Sequence, residues 1–90
     1  MKYNVFFEKN ADKDLRKLDN TQQRIIVNWI DKNLVRSEDP RLLGRPLKGN
    51  LKEYWRYRVG NYRIIAEIND AEIKILIIGI GHRKDVYKMP

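Results

Sequence analysis

The chain has 90 residues, 42% of them hydrophobic, and a formal charge of +7 at neutral pH. That length suits a single domain, 1–90, with a modest core that needs no covalent staple. The lack of cysteine excludes a disulfide framework and a thiolate metal site, the single histidine excludes a multi-histidine metal site, and no apolar run reaches the length of a membrane span.

No basic-apolar-small leader opens the chain, so a cytoplasmic protein is expected. Residues 2–7, KYNVFF, have a β-leaning composition and read as a first strand. Asn10 is the expected cap of a short helix from Ala11 to Leu18, with Ala11, Leu15 and Leu18 on one side. Asp19-Asn20-Thr21 breaks that helix and offers the cap of a second, over about 21–36. There Ile25, Ile26, Trp29, Ile30, Asn33 and Leu34 fall at helical spacing. So short a break predicts an antiparallel helix hairpin.

Ser37-Glu38-Asp39-Pro40 ends the second helix. Residues 37–52 hold Pro40, Gly44, Pro46 and Gly49 and read as one long ordered loop. It carries Arg41, Arg45, Lys48 and Lys52, with no acid between Asp39 and Glu53. Loops of this length in small domains are often functional. Strands follow at about 53–59, 62–68 and 72–80, with Asn69-Asp70 turning the second pair. The last, IKILIIGI, is apolar but for Lys74 and reads as a central strand. The predicted fold is α+β, in the order β-α-α-β-β-β, an antiparallel sheet with the helix hairpin packed on one face.

The stretch 54–65, YWRYRVGNYRII, is the most informative. Gly60-Asn61 is a two-residue turn between alternating runs, which sets Val59 opposite Tyr62, Arg58 opposite Arg63, Tyr57 opposite Ile64 and Arg56 opposite Ile65. Side chains alternate across a strand. One face then holds Trp55, Tyr57, Val59, Tyr62, Ile64, Ala66 and Ile68, read as core along with Trp29; the other holds Arg56, Arg58 and Arg63. Like charges set opposite in a sheet are destabilising. An anion relieves them, and arginine forks match phosphate.

The charge is uneven along the chain. Residues 1–40 hold eight basic and seven acidic side chains, while residues 41–90 hold eleven basic and five acidic. The basic second half predicts a polyanionic partner, nucleic acid or an acidic protein. After Gly79 and Gly81 comes His82-Arg83-Lys84-Asp85-Val86-Tyr87. Pairing of the last strand with 62–68 is expected to pool Arg56, Arg58, Arg63, His82, Arg83 and Tyr87. That set suits RNA cleavage by the 2′-hydroxyl, which needs a base, cations for the phosphorane and a donor to the leaving oxygen. Arginine stays protonated and cannot be the base. His82, of a type with an unperturbed pKa of about 6.5, and Tyr87, near about 10, compete for proton transfer. Taken singly, each feature has an ordinary reading: a solvated basic face, a structural histidine, a tyrosine closing the core. The combination points to RNA.

These stretches, LKGNLKEYWRYRVGNYRII (47–65) and the run from Ile78 through GHRKDVY (81–87), resemble the RelE/ParE superfamily of toxins from bacterial toxin–antitoxin pairs, in its RelE-like branch. The resemblance covers nearly the whole chain. It implies a ribosome-dependent mRNA endonuclease that enters the 30S A site, needs no metal or other cofactor, and assembles with a RelB-like antitoxin that blocks it. By position, it implies that Arg56 and Arg58 match a basic strand pair that is lysine in well-known members. Arg63 matches a phosphate-contacting arginine, Arg83 an arginine after the last strand, and Tyr87 a tyrosine that stacks on the base or moves a proton. Arg45, Lys48, Lys52 and Lys84 are the further candidates for RNA contact. An arginine at 56 and 58 cannot be a base where a lysine can, which gives His82 added weight. Two alternatives share the fold: a ParE-like inhibitor of DNA gyrase, and a catalytically decayed RNA- or antitoxin-binding module.

Overall fold

The computed structural model describes residues 2–47 and 54–82. Its elements are β1 (Asn4–Phe7), α1 (Lys9–Arg16), α2 (Asn20–Asn33), β2 (Arg45–Pro46), β3 (Tyr54–Val59), β4 (Tyr62–Asn69) and β5 (Lys74–His82). The strands form one sheet in the order β1-β5-β4-β3-β2. The α+β class and the helices on one face are as the sequence predicts.

Two strands differ from the expectation. β1 runs parallel to β5, while the other pairs are antiparallel. A parallel neighbour needs a long connection, and here both helices and three strands intervene between the two. β2 lies within the segment read as loop. Two residues are too few to show an alternation, and Pro46 is tolerated because β2 is an edge strand.

The helix ends are set by neighbours as much as by local sequence. α1 begins at Lys9 with Glu8 at the cap position, so Asn10 lies inside its first turn. The Glu8 N–H donates to the Ile77 carbonyl at 2.8 Å. The β1–β5 ladder thus fixes where the helix starts. Asp19 does cap α2, its carboxylate accepting from the Gln22 N–H at 2.8 Å. α2 ends at Asn33, short of residue 36, because Arg36 takes a φ of 60° and its N–H donates to the Tyr3 carbonyl. Asp19→Ala is expected to lower the unfolding free energy by about 1 kcal/mol, read from urea midpoints at constant slope. An unchanged midpoint would show that the cap is dispensable.

Ala11, Ile26, Ile30 and Leu34 of the helix layer form one buried cluster with Tyr57, Val59, Ile64, Ala66, Ile75, Ile77 and Ile80 of the sheet. Trp29 meets Tyr57 with ring centroids 5.5 Å apart. Ile25, expected in the helix stripe, is instead exposed. The β4–β5 ladder contains a bulge: Ile65 pairs with Gly79 but Ala66 with Ile77, which leaves Ile78 as an extra residue. One inserted residue reverses the facing of everything beyond it. Ile75, Ile77 and Ile80 can therefore all lie in the helix-side core. Beside the bulge, the Ile80 N–H donates to the Asp14 carboxylate of α1 at 3.3 Å.

Candidate functional site

The sheet face away from the helices gathers the arginines. In β3–β4 the register sets Arg58 against Arg63 and Arg56 against Ile65, as the turn predicts. β2 adds Arg45, directly opposite Arg56. Four guanidinium groups from three adjacent strands thus share one surface, and two of the cross-strand pairs are Arg–Arg. The turn that fixes this register needs its glycine, since Gly60 has a φ of 60°.

These arginines are not equally exposed. Arg45 and Arg58 are exposed and Arg56 is half-buried. Arg63 is only 2% exposed, and its Nε has no hydrogen-bond partner among the described residues. A solvated basic face therefore does not extend to Arg63: β4 is the middle strand of five and has a neighbour on either side. On its β5 side those neighbours are Gly79 and Gly81, opposite Ile65 and Arg63.

The structure does not bring His82 to this group. It pairs with Tyr62, its ring 6.0 Å from the Tyr62 ring and edge-on to it. Paired residues point to the same side, and Tyr62 packs against the helix-side core. Counting in twos from Ile75 and Ile77 would put His82 beside Arg63; the extra Ile78 turns it to the opposite face. Arg83, Lys84 and Tyr87, with Lys48 and Lys52, lie outside the described residues.

A second cluster had no signal in the sequence, because its members are far apart in the chain. Asp70, in the β4–β5 turn, accepts the Tyr3 hydroxyl at 2.6 Å and both terminal nitrogens of Arg41, at 3.1 and 2.9 Å. Arg41 first, then Tyr3, holds the Asp70 carboxyl below the usual carboxylate range. The same Arg41 lies 5.7 Å from the centre of the Trp55 ring. Next to it, the buried Tyr57 hydroxyl donates to the Pro40 carbonyl. Gly44 packs so closely that a Cβ there would come within 2.7 Å of the Tyr57 ring.

Chemically, the arginine face can bind and neutralise phosphate but cannot take up a proton. Among the described residues no group of three His, Cys, Asp or Glu side chains is placed to hold a metal ion. None of the helices among them is long and apolar enough to cross a membrane. On the other side of the sheet, an apolar groove of about 230 Å³ runs between β1, α1 and α2, with Phe7, Val27 and Val35 partly exposed along it.

Comparison with known proteins supplies the context. A family model described as ParE toxin of type II toxin-antitoxin system, parDE, matches residues 5–87. The chain is similar to toxin RelG of Mycobacterium tuberculosis, 32% identical over 88 residues, covering 98% of this chain and 99% of that toxin. Among solved structures it resembles the RelBE2 toxin–antitoxin complex of Mycobacterium tuberculosis, with a TM-score of 0.83 and 30% identity over 92% of this chain and 93% of that one. It also resembles a mutant of E. coli toxin RelE in the free state, with a TM-score of 0.75 and 25% identity over 97% and 92% of the two chains.

Proposed function

The chain belongs to the ParE-toxin family of type II toxin–antitoxin systems, and from that premise we propose that this toxin, RelE-like in fold, is a ribosome-dependent mRNA endonuclease acting in the cytoplasm. The observation that carries the reading is Arg63, a buried guanidinium whose Nε has no partner among the described residues, on a face shared with Arg45, Arg56 and Arg58. Burying a charge is costly unless it is paired. A polyanion threaded across this face supplies the partner, and a phosphorane, with its extra negative charge, gains more from it than a ground-state phosphate.

In this mechanism the RNA 2′-hydroxyl gives up its proton and attacks the adjacent phosphorus, the bond from phosphorus to the 5′-oxygen breaks, and that oxygen leaves with a proton, so that a 2′,3′-cyclic phosphate and a 5′-hydroxyl result. Arg63 and Arg83 hold the charge that builds on the phosphorane oxygens, and Arg56 and Arg58 hold the backbone in line. Lys48, Lys52 and Lys84 extend the footprint. No metal is called for. With His82 on the opposite face, Tyr87 takes the proton-transfer or base-stacking role. A set without a strong base depends on the ribosome to orient the substrate. A RelB-like antitoxin neutralises the toxin; the basic face and the apolar groove beside β1 are surfaces of the right chemistry for an amphipathic chain with acidic residues.

A competing reading is gyrase inhibition, favoured by the ParE description of the matching family model. One experiment separates them. Brief expression without antitoxin should stop growth and yield new mRNA 5′ ends inside translated codons, and co-expressed antitoxin should abolish both. Broken DNA with intact mRNA would establish the gyrase reading instead. Normal growth with intact mRNA and DNA would remove both and leave a binding module.

A further inference from the structure

We infer that Asp70 is a positioning residue: through Arg41 it holds β2 on the sheet, so that Arg45 stands beside Arg56 as a fixed cation of the arginine face. The inference deepens the proposed function and rests on reading that face as an RNA-binding surface.

β2 cannot hold itself in place. It has two residues and only two rungs to β3, Arg45 with Arg56 and Pro46 with Trp55, too few to fix a strand. Beyond those rungs, the Leu47 N–H donates to the Tyr54 carbonyl of β3 at 2.9 Å. The segment leading into β2 is what is anchored. It is tied at Pro40 by the Tyr57 hydroxyl, at Arg41 by the fork onto Asp70, and at Gly44 by contact with the Tyr57 ring. Between these points the chain is tightly turned: Leu42 N–H donates to the Asp39 carbonyl and Gly44 N–H to the Arg41 carbonyl, at 3.2 and 3.3 Å. A displacement at Arg41 is therefore passed to Arg45, four residues on.

Asp70 is a firm anchor. Its turn is braced by Asn69, which accepts the Glu72 N–H and donates to the Glu72 carboxylate, both at 3.0 Å. The Tyr3 hydroxyl holds it from the β1 side. One carboxylate thus joins the start of β1, the β4–β5 turn and the approach to β2, three segments from across the sheet. An isolated exposed ion pair contributes little, but a bidentate fork within a network is the geometry in which such a pair matters.

The test uses the purified full-length toxin and a single-stranded RNA oligomer, with affinity measured against salt. Each phosphate contact contributes roughly 0.7 to the slope of log affinity on log salt. Arg45→Ala should lower the slope by about that amount. Asp70→Ala should lower it equally, although removing an acid from a basic protein would by charge alone strengthen binding. The double variant should fall no further, and amide exchange at Leu47 should speed up in Asp70→Ala. An unchanged slope in either single variant, additive losses in the double, or unaltered exchange at Leu47 would each overturn the inference. Ribosomal cleavage by the wild-type protein is scored separately. Intact mRNA with the expected slopes would sink the endonuclease reading alone, and cut mRNA with an unchanged Asp70→Ala slope would sink the positioning role alone.

Discussion

Arg63→Ala is expected to slow single-turnover cleavage of mRNA on programmed ribosomes by about 10²-fold or more, the scale for losing one preorganised electrostatic donor. Binding to the ribosome should fall far less, because Arg45 and Arg58 stand exposed on the same face. Equal losses in binding and in rate would assign Arg63 to docking instead. The burial of Arg63 gives a second readout that leaves cleavage aside. A buried donor without a partner costs about 1–3 kcal/mol, and the Arg63 Nε is in that position among the described residues. Arg63→Met, which keeps length and removes the charge, should therefore raise the urea midpoint while cleavage is lost. A protein that gains stability as it loses activity has a residue kept for function. A less stable Arg63→Met protein would instead show that the guanidinium helps hold the sheet together.

The largest structural effect is expected at Tyr57. It is fully buried, touches Trp29 and Gly44, and ties the approach to β2 through the Pro40 carbonyl. Tyr57→Ala should cost about 3–5 kcal/mol, the range for emptying an aromatic site in a core. Tyr57→Phe keeps the ring and should cost about 1 kcal/mol, for the lost hydrogen bond. Burial pushes the Tyr57 phenol well above its ordinary value. The folded chain thus keeps a proton that the unfolded chain gives up near pH about 10. That part of the stability is complete below about pH 10 and is lost as pH rises beyond it. Urea midpoints measured between neutral and strongly alkaline pH should fall less steeply in Tyr57→Phe than in the wild type. Parallel curves would mean that the phenol does not control alkaline unfolding.

What could be read in the sequence was what repeats with a short period. The β3–β4 register followed from Gly60-Asn61 and strict alternation, and each of the four pairs expected nearest the turn is present. The Asp19 cap was legible for a similar reason, since the cap and its target are three residues apart. The start of α1 was not, because a bond from Glu8 to Ile77 decides it. His82 was misplaced by one residue of bulge, and a run of isoleucines gives no sign of which one is extra. The burial of Arg63 depends on strand order, which period alone does not give. The Tyr3–Asp70–Arg41 cluster joins residues whose separation in sequence carries no pattern.

The pairing of β1 with β5 has a consequence for when the protein becomes itself. The first strand can complete its ladder only with the last one made. The helices and the β3–β4 hairpin depend on local contacts and form early; contacts that span the chain come late. β5 is also the strand that encloses Arg63 from one side. While β5 is still inside the ribosome, the arginine face has its β3–β4 register but not its β5 wall. If translating ribosomes are the target, a chain whose β5 has yet to emerge carries no finished arginine face, and an antitoxin already present meets an unfinished sheet.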